Sequence, residues 1–559
     1  MTVTANEPAA PAARRPAPVG VDLLAAGLLP PIPAAFLKGY DLDLLAPLGF
    51  LAPGEQPDFG ADFAAGFGRR RQGGDPGALR ALADGLAVAN RGYGHPRADE
   101  LASRLADPAV RVVITGQQPG LLGGPLYTFS KMMAAARWAA ALEARGERAV
   151  ALFWVATEDH DWAEVAGATF QTPEGPKTFD LGADPEPLTP VGMRTFGPAV
   201  DGVLAALGAA LPGDLYADWI KALGRWYRPD ARFGEAFCRL MIHLLGDRAP
   251  LLVDAMHPAL KAAERPWLRR LVERRVAVEE ALAARDAAIA ERGFPLQVTP
   301  QRAASPLFLF QNGERRRIEW RGADGFTLRG VEGKGGSIAD LLRTIEENPG
   351  VVSAGVLARP AIQDAVFGSA LFLVGPGELS YLPQAAATYA VLEVPPPVAA
   401  LRPQALILEE RQAEKLAEAG VALAGLLGDP QALDRARAVA GGGDIVTPVR
   451  QSVEASIGEL RAAALALDPN LERPYEKTRE QILRALDLFA EKALAVAARR
   501  DEVQTRRLSQ LREAILPLGR LQERVISTAY FGARYGPRLA ASFWEQMGLD
   551  PRRLQVVAP

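Results

Sequence analysis

The residues best suited to chemistry stand together in the segment ATEDHDWAEV, which follows an apolar run. Glu158, Asp159, His160 and Asp161 are consecutive, and Glu164 lies about one helical turn further on. Charged groups are costly to bury without partners, so this composition after a strand indicates a binding or catalytic site. The carboxylates can bind a substrate amine, hold Mg²⁺ or orient His160 for acid–base catalysis, and the four consecutive residues are our catalytic candidates. The alternative is a solvated helix N-terminus, where acidic residues are also favourable.

A second candidate is the glycine-rich segment VVITGQQPGLLGGPLYTFSK, which comes earlier in the chain. It fits neither the dinucleotide fingerprint G-x-G-x-x-G nor the G-x-x-x-x-G-K-[ST] loop of P-loop NTPases. Backbone N–H groups at a helix start still form an anion site, so we expect phosphates or a carboxylate to bind here. The alternative is that the glycines only let a strand and a helix touch. The candidate binding residues are Gly116, Gln117, Gln118, Gly120, Gly123, Gly124, Thr128 and Lys131.

Three further binding candidates follow later in the chain. Arg359 precedes a proline in VLARPAIQD, where a guanidinium can clamp a carboxylate with two hydrogen bonds; a routine surface ion pair is the alternative. Gly375 and Glu378 belong to LFLVGPGELSYLPQ, a strand, a tight turn and the start of a helix. His257 is a possible metal partner for His160, but four histidines and one cysteine make a zinc site weak, and we expect no structural metal.

Strands and helices alternate around these candidates in the order that a parallel sheet requires. Residues 111–115 and 148–157 are predicted strands that flank a helix over 127–146, and this makes a βαβ unit. Residues 249–260 and 370–392 repeat the pattern of a buried strand followed by a helix. Ligands bind beyond the carboxyl ends of such strands. Four loops are therefore expected to meet there: Gly116–Pro125, Glu158–Asp161, Asp254–His257 and Gly375–Glu378.

Two stretches of different character interrupt the predicted sheet domain. Residues 166–215 are rich in Pro, Gly and Thr, and residues 296–350 contain Asn312-Gly313, which is typical of a tight hairpin. The predicted division is a disordered tail at 1–19, core segments at 20–165, 216–295 and 351–398, insertions at 166–215 and 296–350, a helical coiled-coil domain at 399–530, and a C-terminal segment at 531–559.

A heptad pattern runs through the later part of the chain, which we expect to be helical from about residue 400. A long helix with one narrow apolar stripe must bury that stripe on another helix. The segment at 402–440 and a second copy of the chain are the candidate partners, and we expect both, which gives a coiled-coil homodimer. The stripe, with one stutter, consists of Ile482, Leu486, Phe489, Ala493, Val496, Val503, Leu511, Ile515 and Leu518.

Composition restricts the class of protein. The chain has 559 residues, too many for one core, and its net charge of −3 lacks the basic excess of nucleic-acid-binding proteins. No run of eighteen apolar residues occurs, so we expect no membrane span. A single cysteine, Cys238, excludes an intramolecular disulfide, favours a cytoplasmic location and reads as a buried apolar residue. His95 reads as a surface residue and His243 as a core residue.

Together the motifs VITGQQPGLLGGPLYTFSK, FWVATEDHDWAEV, VLARPAIQD and LFLVGPGELSYLPQ resemble the bacillithiol-synthesis cysteine-adding enzymes, the BshC family. The match in order and spacing runs from about residue 110 to 385, with weaker similarity to LQERVISTAYFGARYGP near the C-terminus. The resemblance implies a Rossmann-type α/β core, similar to class I aminoacyl-tRNA synthetases, with two connecting-peptide insertions and a helical coiled-coil domain for dimerisation. The reaction assigned to the family joins cysteine in amide linkage to the amine of glucosaminyl-malate.

The resemblance implies an ATP-dependent C–N ligase whose substrates are cysteine and glucosaminyl-malate. No H-I-G-H or K-M-S-K-S motif occurs, so ATP with Mg²⁺ is expected from analogy and because a free carboxylate must be activated. Residues 116–124 with Lys131 would hold phosphates or the activated carboxylate, His160 or Asp161 would act as base, and Arg359 would bind the malyl carboxylates. The alternatives are a nucleotidyltransferase acting on another small acid and a non-catalytic dimeric nucleotide-binding protein.

Overall fold

The computed structural model describes residues 20–40, 44, 76–301, 303–331, 333–429, 431, 446–499 and 502–559. The predicted tail at 1–19 lies outside these residues. In chain order, the described strands are β1 (Val21–Asp22), β2 (Arg111–Gln117), β3 (Ala149–Val155), β4 (Gly167–Thr172), β5 (Gly175–Asp180), β6 (Leu251–Asp254), β7 (Ala304–Gln311), β8 (Glu314–Arg321), β9 (Gly325–Leu328), β10 (Gly335–Ser337), β11 (Val352–Ala354), β12 (Leu371–Val374), β13 (Val398–Leu401), β14 (Ala405–Ile407) and β15 (Arg553–Val557).

The α-helices within the same residues are α1 (Pro31–Leu37), α2 (Pro76–Tyr93), α3 (Ala98–Ala106), α4 (Leu126–Glu143), α5 (Trp162–Val165), α6 (Ala199–Ala210), α7 (Asp214–Leu223), α8 (Phe233–Leu245), α9 (Pro258–Glu273), α10 (Arg275–Glu291), α11 (Ile338–Glu347), α12 (Arg359–Phe367), α13 (Pro376–Leu392), α14 (Glu410–Glu418), α15 (Leu423–Gly428), α16 (Thr447–Leu467), α17 (Glu472–Arg499), α18 (Glu502–Ile515), α19 (Thr528–Tyr535) and α20 (Pro537–Gln546). In this part of the chain, none of them combines the length and the apolar character that crossing a membrane requires.

A sheet of five parallel strands, in the order β13-β12-β2-β3-β6, forms the centre of the described fold. Strand β3 is buried along its whole length, as are the five central residues of β2, because helices cover both faces of the sheet. Helices α4 and α8 lie on one face and α2, α9 and α13 on the other, so alternate residues of β2 enter two hydrophobic cores. The predicted Rossmann-type α/β class and the βαβ unit of β2, α4 and β3 are confirmed.

The second predicted insertion contributes β7, β8, β9, β10 and helix α11, and β11 just after it completes a separate five-stranded antiparallel sheet in the order β10-β9-β8-β7-β11. Asn312 and Gly313 join β7 to β8 with φ angles of 53° and 85°, the left-handed backbone that a two-residue hairpin turn needs. The predicted hairpin is therefore confirmed. The first insertion contains the antiparallel pair β4–β5 and helix α6. The exact domain boundaries remain predictions.

The later part of the chain requires a correction, because it is not helical throughout. Strand β13 forms the edge of the central sheet, and β14 joins β1 and β15 in a three-stranded sheet. Strands β13 and β14 have four and three residues, all of them buried. They are too short to give a periodic pattern.

The expected partner of the heptad helix also requires a correction. Helix α17 packs against α16, to which a short turn at Pro469–Leu471 joins it, rather than against the described residues of 402–440. The end of α18 contacts that described part, where Leu511 and Ile515 share a core with residues of α14 and α15. The stripe positions Ile482 and Phe489 are 38% and 55% exposed in the single chain. The side chains of Val496 and Val503 lie outside the described part of the structure, and the homodimer remains a prediction.

Two histidines exchange the environments expected of them. His95 is buried, and its Nε2 lies 3.1 Å from the carbonyl oxygen of Ala249, whereas His243 is exposed beside two tryptophan rings. An imidazole is amphipathic, so a helical pattern alone does not place it. Cys238 is buried in α8, as predicted.

A buried ion pair joins the segment between α18 and α19 to the central sheet. Arg402, which follows β13, donates to both carboxylate oxygens of Glu523 at 2.7 and 3.0 Å. The Ala405 N–H donates to the same carboxylate at 2.9 Å. Both charged side chains are almost fully buried, at 1% and 0% exposed, so neither retains water to replace a lost partner.

Replacing Glu523 with alanine should lower the free energy of unfolding by about 3–5 kcal/mol, because it leaves the Arg402 charge buried without its partner. Asp99→Ala is the control, since Asp99 pairs with Arg91 on the exposed surface and its loss should cost less than about 1 kcal/mol. Urea denaturation of both variants measures the difference. Equal losses of stability in the two variants would contradict the proposed contribution of the Arg402–Glu523 ion pair.

Candidate active site

A cavity of about 410 Å³ opens at the carboxyl end of the central sheet. The structure brings together there the four loops that the strand pattern predicted, together with residues of the second insertion and of α12. From the four loops come Gly116, Gln117, Gln118, Glu158, Asp159, His160, Ala255 and Glu378. The remaining lining includes Trp154, Ala156, Glu164, Phe308, Arg315, Arg317, Ala354, Gly355, Val356, Arg359 and Tyr381.

His160 stands in the cavity beside Asp159, and its geometry suits a base. The Asp159 carboxylate accepts the backbone N–H of His160 at 2.8 Å and the Gln118 Nε2–H at 2.8 Å. It also lies 3.4 Å from the Arg315 guanidinium. His160 Nδ1 is buried and has no hydrogen-bond partner among the described residues. Burial, and then the positive charge of Arg315, lower the pKa of His160 below its ordinary value of 6.5, so the ring is neutral at pH 7. A neutral imidazole with an unpaired nitrogen can accept a proton.

Glu158 forms the wall of the cavity in a buried network of three charges. Lys261 of α9 donates to Glu158 and, at 2.8 Å, to Glu264, and all three side chains are buried. Burial raises the pKa of Glu264 to about 7, although Lys261 opposes that shift. Glu158 therefore has an internal cation as its partner, which favours a structural role over catalysis.

Asp161 lies outside the cavity and caps a helix. Its carboxylate accepts the backbone N–H of Glu164 at 3.3 Å at the start of α5. For Asp161, the predicted alternative of a helix N-terminus is therefore the correct one. Glu164 does line the cavity and accepts the Gln117 Nε2–H at 2.6 Å. Loss of hydration, followed by the charges of Asp161 and Asp159, raises the pKa of Glu164. Asp161 is therefore a neighbour of Glu164 that does not itself line the cavity.

Lys131 does not line the cavity, contrary to the prediction, because each of its three N–H donors binds an acceptor within the protein. The buried ammonium donates to the Gly116 carbonyl at 2.8 Å, to Gln117 Oε1 at 2.8 Å and to Glu378 at 2.6 Å. Glu378 also accepts the Gly375 N–H at 2.7 Å. An ammonium has three N–H bonds, so none remains for a phosphate in this arrangement.

The second half of the glycine loop is buried away from the cavity, which corrects the expected anion site. The N–H groups of Gly120, Gly123 and Gly124 donate to carbonyl groups within the loop at 3.0–3.1 Å. The segment 526–528 covers this half, where Ser527 and Thr528 donate to the loop carbonyls. Thr128 lies buried behind the loop and also outside the cavity lining. These glycines permit close packing, while Gly116, Gln117 and Gln118 face the cavity.

Arg359 lies in the cavity wall and makes no ion pair with a described carboxylate. It donates to Gln363 Oε1 at 2.9 Å and to the Tyr381 hydroxyl at 3.3 Å, and its guanidinium lies 5.8 Å from the Trp154 ring centre. The predicted alternative of a routine surface ion pair therefore does not describe it. A guanidinium held by neutral partners in a cavity is suited to an anionic ligand.

Family comparisons agree with this architecture. The family description "Bacillithiol biosynthesis BshC, N-terminal Rossmann-like domain" matches residues 64–403, and "Bacillithiol biosynthesis BshC, C-terminal coiled-coil domain" matches residues 405–549. The chain belongs to the BshC family. A protein of Solibacter usitatus named "Putative cysteine ligase BshC" is 30% identical over 80% of this chain and 84% of its own length. Proteins of the same name from Salinibacter ruber and Thermus thermophilus are 29% and 31% identical, over 86% and 83% of this chain and 89% and 95% of theirs.

Two arginines of this BshC-family chain were not among the predicted site residues. Arg315 and Arg317 lie on β8 next to the confirmed hairpin, and both line the cavity. Arg315 is buried, donates to Ser353 at 3.0 Å and to the Ala354 carbonyl at 3.2 Å, and lies 3.9 Å from the Phe308 ring centre. The signal was present in GERRRIEW, because alternate residues of a strand point to one face. What the sequence does not show is that this face meets the central sheet.

The considered metal pair of His257 and His160 is not formed in this arrangement. The described residues contain no group of three or more His, Cys, Asp or Glu side chains that could hold a metal ion. His257 lies outside the cavity lining and caps α9, where its Nδ1 accepts the Ala259 N–H at 3.2 Å. It therefore forms no metal pair with His160 in the structure.

Replacing Lys261 with methionine should lower the free energy of unfolding by about 3–5 kcal/mol at pH 8, because Glu158 and Glu264 lose their cation. The loss should be smaller at pH 5. Carboxyl groups whose pKa is raised in the folded state bind more protons folded than unfolded, so stability falls as the pH rises.

Denaturation curves at pH 5 and pH 8 measure this effect, with the exposed residue Lys221 changed to methionine as the control. A Lys261→Met loss that does not depend on pH would show that the two carboxylates do not respond to the missing charge.

Proposed function

We propose that this chain is a ligase that joins cysteine through an amide bond to the amine of glucosaminyl-malate. One observation carries the proposal: in a single cavity, hydrogen-bond acceptors without a partner lie together with guanidinium groups that have no carboxylate partner among the described residues. The acceptors are Gln118 Oε1 and His160 Nδ1, both buried without a described partner, and the guanidinium groups belong to Arg317 and Arg359. A ligand with an amine and carboxylates would satisfy both sets. The names of the relatives support a cysteine ligase.

Arg359 provides the binding of the malyl carboxylates. Arg359 retains donor capacity beyond its bonds to Gln363 and Tyr381, because a guanidinium carries five N–H bonds. Arg317, on the opposite wall formed by the second insertion, has no ion pair with a carboxylate in the described part of the chain and only a long contact of 3.4 Å to Gln301. Charge-assisted bonds to anions are short and strong, so Arg359 positions the acidic end of the substrate, and Arg317 is left for a second anionic group.

His160 provides the base. The substrate amine donates to Gln118 Oε1 and to His160 Nδ1, and the nitrogen attacks the carbonyl carbon of activated cysteine. The new C–N bond forms, the bond from that carbon to its leaving group breaks, and the amine proton passes to Nδ1. Asp159 accepts the backbone N–H of His160 and so holds the loop in place. The lowered pKa of the imidazole keeps the ring neutral and able to accept the proton.

ATP with Mg²⁺ belongs to the proposal as the source of activation, because a free carboxylate does not acylate an amine at neutral pH. The residues present fit such a group. Arg317 can hold phosphate oxygens, and the carboxylates of Glu164 and Asp159 are oxygen ligands of the kind that Mg²⁺ takes beside a nucleotide. Bound ATP would convert the cysteine carboxylate into a good acyl donor. The second half of the glycine loop is not part of this site, since the N–H groups of Gly120, Gly123 and Gly124 are already bonded.

The direct test is to incubate the purified chain with cysteine and glucosaminyl-malate, with and without ATP and Mg²⁺, and to detect the amide by mass spectrometry. Amide formed only with ATP is the expected result, and no amide in either condition overturns the ligase assignment. Amide without ATP overturns only the nucleotide part. Pyrophosphate release without amide would favour the nucleotidyltransferase alternative.

His160→Ala should lower kcat by about 10²–10⁴-fold, because proton transfer loses its base. The wild-type rate should fall only below about pH 6.5, since the base form of His160 persists until the pH drops through its lowered pKa. His243→Ala, which changes an exposed histidine far from the cavity lining, is the control and should keep the wild-type rate. An unchanged kcat in His160→Ala would remove the proposed base.

Arg359→Gln should raise KM for glucosaminyl-malate by about 10–150-fold, which corresponds to about 1.5–3 kcal/mol for hydrogen bonds to a charged group. KM for cysteine should stay within about twofold. Arg343→Gln is the matched control, because Arg343 lies on the exposed face of α11 and pairs with Asp340. Equal effects on both substrates would show that Arg359 supports the cavity as a whole and does not bind the malyl group.

A further inference from the structure

A second cavity of about 270 Å³ adjoins the first one. The two share Phe308, Arg317, Gly355 and Val356 as lining residues, so they are neighbouring compartments of one site. The second cavity lies between α10, the start of the antiparallel sheet and residues 298–301. Nothing in the proposed reaction has yet used it.

The lining of the second cavity is predominantly apolar. Its apolar members are Leu271, Val278, Leu282, Ala283, Val298, Ala304, Pro306, Phe308, Trp320, Val356 and Leu357. Seven polar or charged residues complete the lining: Arg275, Glu279, Asp286, Thr299, Gln301, Ser305 and Arg317. A flat ring with apolar faces and a polar edge suits the compartment, since apolar walls with a few placed polar groups are usual for ligand sites.

Arg317 stands at the junction of the two compartments. Its guanidinium lies 5.1 Å from the Phe308 ring centre, and Arg315 lies on the same ring in the first cavity. Among the residues described, no carboxylate forms an ion pair with Arg317, so the junction offers positive charge. Apolar compartment, guanidinium and reacting cavity thus follow in that order. A nucleoside triphosphate has the matching order of base, phosphate chain and reacting end.

The usual nucleotide position of such a sheet is partly occupied by side chains in this chain. Ligands of doubly wound sheets bind where the strand order reverses, which here is the gap between β2 and β12. The Lys131–Glu378 ion pair fills that gap. A Cβ placed on Gly375 would lie 3.6 Å from Lys131 and 3.7 Å from Arg402, so side chains already occupy the space. The compartment beside Arg317 is open.

We infer that the second cavity binds the base of the adenine nucleotide that activates cysteine, with Arg317 holding the phosphate chain at the junction. This inference rests on the proposed function, because it requires nucleotide use. Ala283 of α10 lines the compartment, whereas Ala287 of the same helix does not, and both are exposed alanines. Filling the compartment therefore has a matched control.

Ala283→Trp should raise KM for ATP at least tenfold and leave KM for cysteine and glucosaminyl-malate within twofold, because the indole occupies the place of the base. Ala287→Trp should behave as wild type. Circular dichroism of both variants shows that each is folded. Equal KM values for ATP in the two variants, in a chain whose amide formation requires ATP, overturn the inference and leave the proposed function intact.

Photolabelling of the wild-type chain with 8-azido-ATP gives a second readout that needs no turnover. Mass spectrometry should find the label in peptides covering 271–286 or 298–320, which carry the compartment's walls. Label confined to peptides around Lys131 and Glu378 or to residues 400–535, or no label in a chain that requires ATP, contradicts the inference alone. Amide formed without ATP overturns the nucleotide part of the proposed function and this inference together.

Discussion

One buried ammonium holds the candidate site together. Lys131 reaches from α4 to the Gly116 carbonyl, to Gln117 and to Glu378, and thereby joins the end of β2 to the start of α13. Gln117 in turn donates to Glu164, so the position of the acidic loop depends on the same cation. A buried charge needs all its partners, because each lost bond leaves a desolvated group. The loops at the sheet edge are consequently held in one arrangement before any ligand binds.

The second insertion completes what the central sheet cannot supply. The sheet edge provides mostly acidic and amide groups, whereas the antiparallel sheet contributes Arg315, Arg317 and Phe308 from the facing side. Arg315 joins the two parts, since it lies 3.4 Å from Asp159 while its other donors bind Ser353 and the Ala354 carbonyl. The cavity therefore has anion-binding and proton-accepting groups on different walls, as a ligand with carboxylates and an amine requires.

Much of the fold follows from local patterns, and much of the site does not. Apolar strands followed by helices predicted the parallel sheet and the four converging loops, and Asn312-Gly313 predicted its hairpin, because both signals are short-range. The failures involve partners distant in sequence. In the sequence Lys131 resembles a phosphate ligand, but in the structure it donates to Glu378, which lies 247 residues later. The glycine loop resembles an open anion site, but segment 526–528 covers its second half. Arg315 and Arg317 were missed because no local pattern tells which sheet their strand faces.

A crystal structure of the chain with glucosaminyl-malate bound tests the central claim most directly. The account predicts malyl carboxylate oxygens within about 3 Å of the Arg359 guanidinium group, and the amine nitrogen at a similar distance from His160 Nδ1 and Gln118 Oε1. A ligand bound outside this cavity, or bound inside it with its amine turned away from His160, would contradict the claim that these walls form a ligase site.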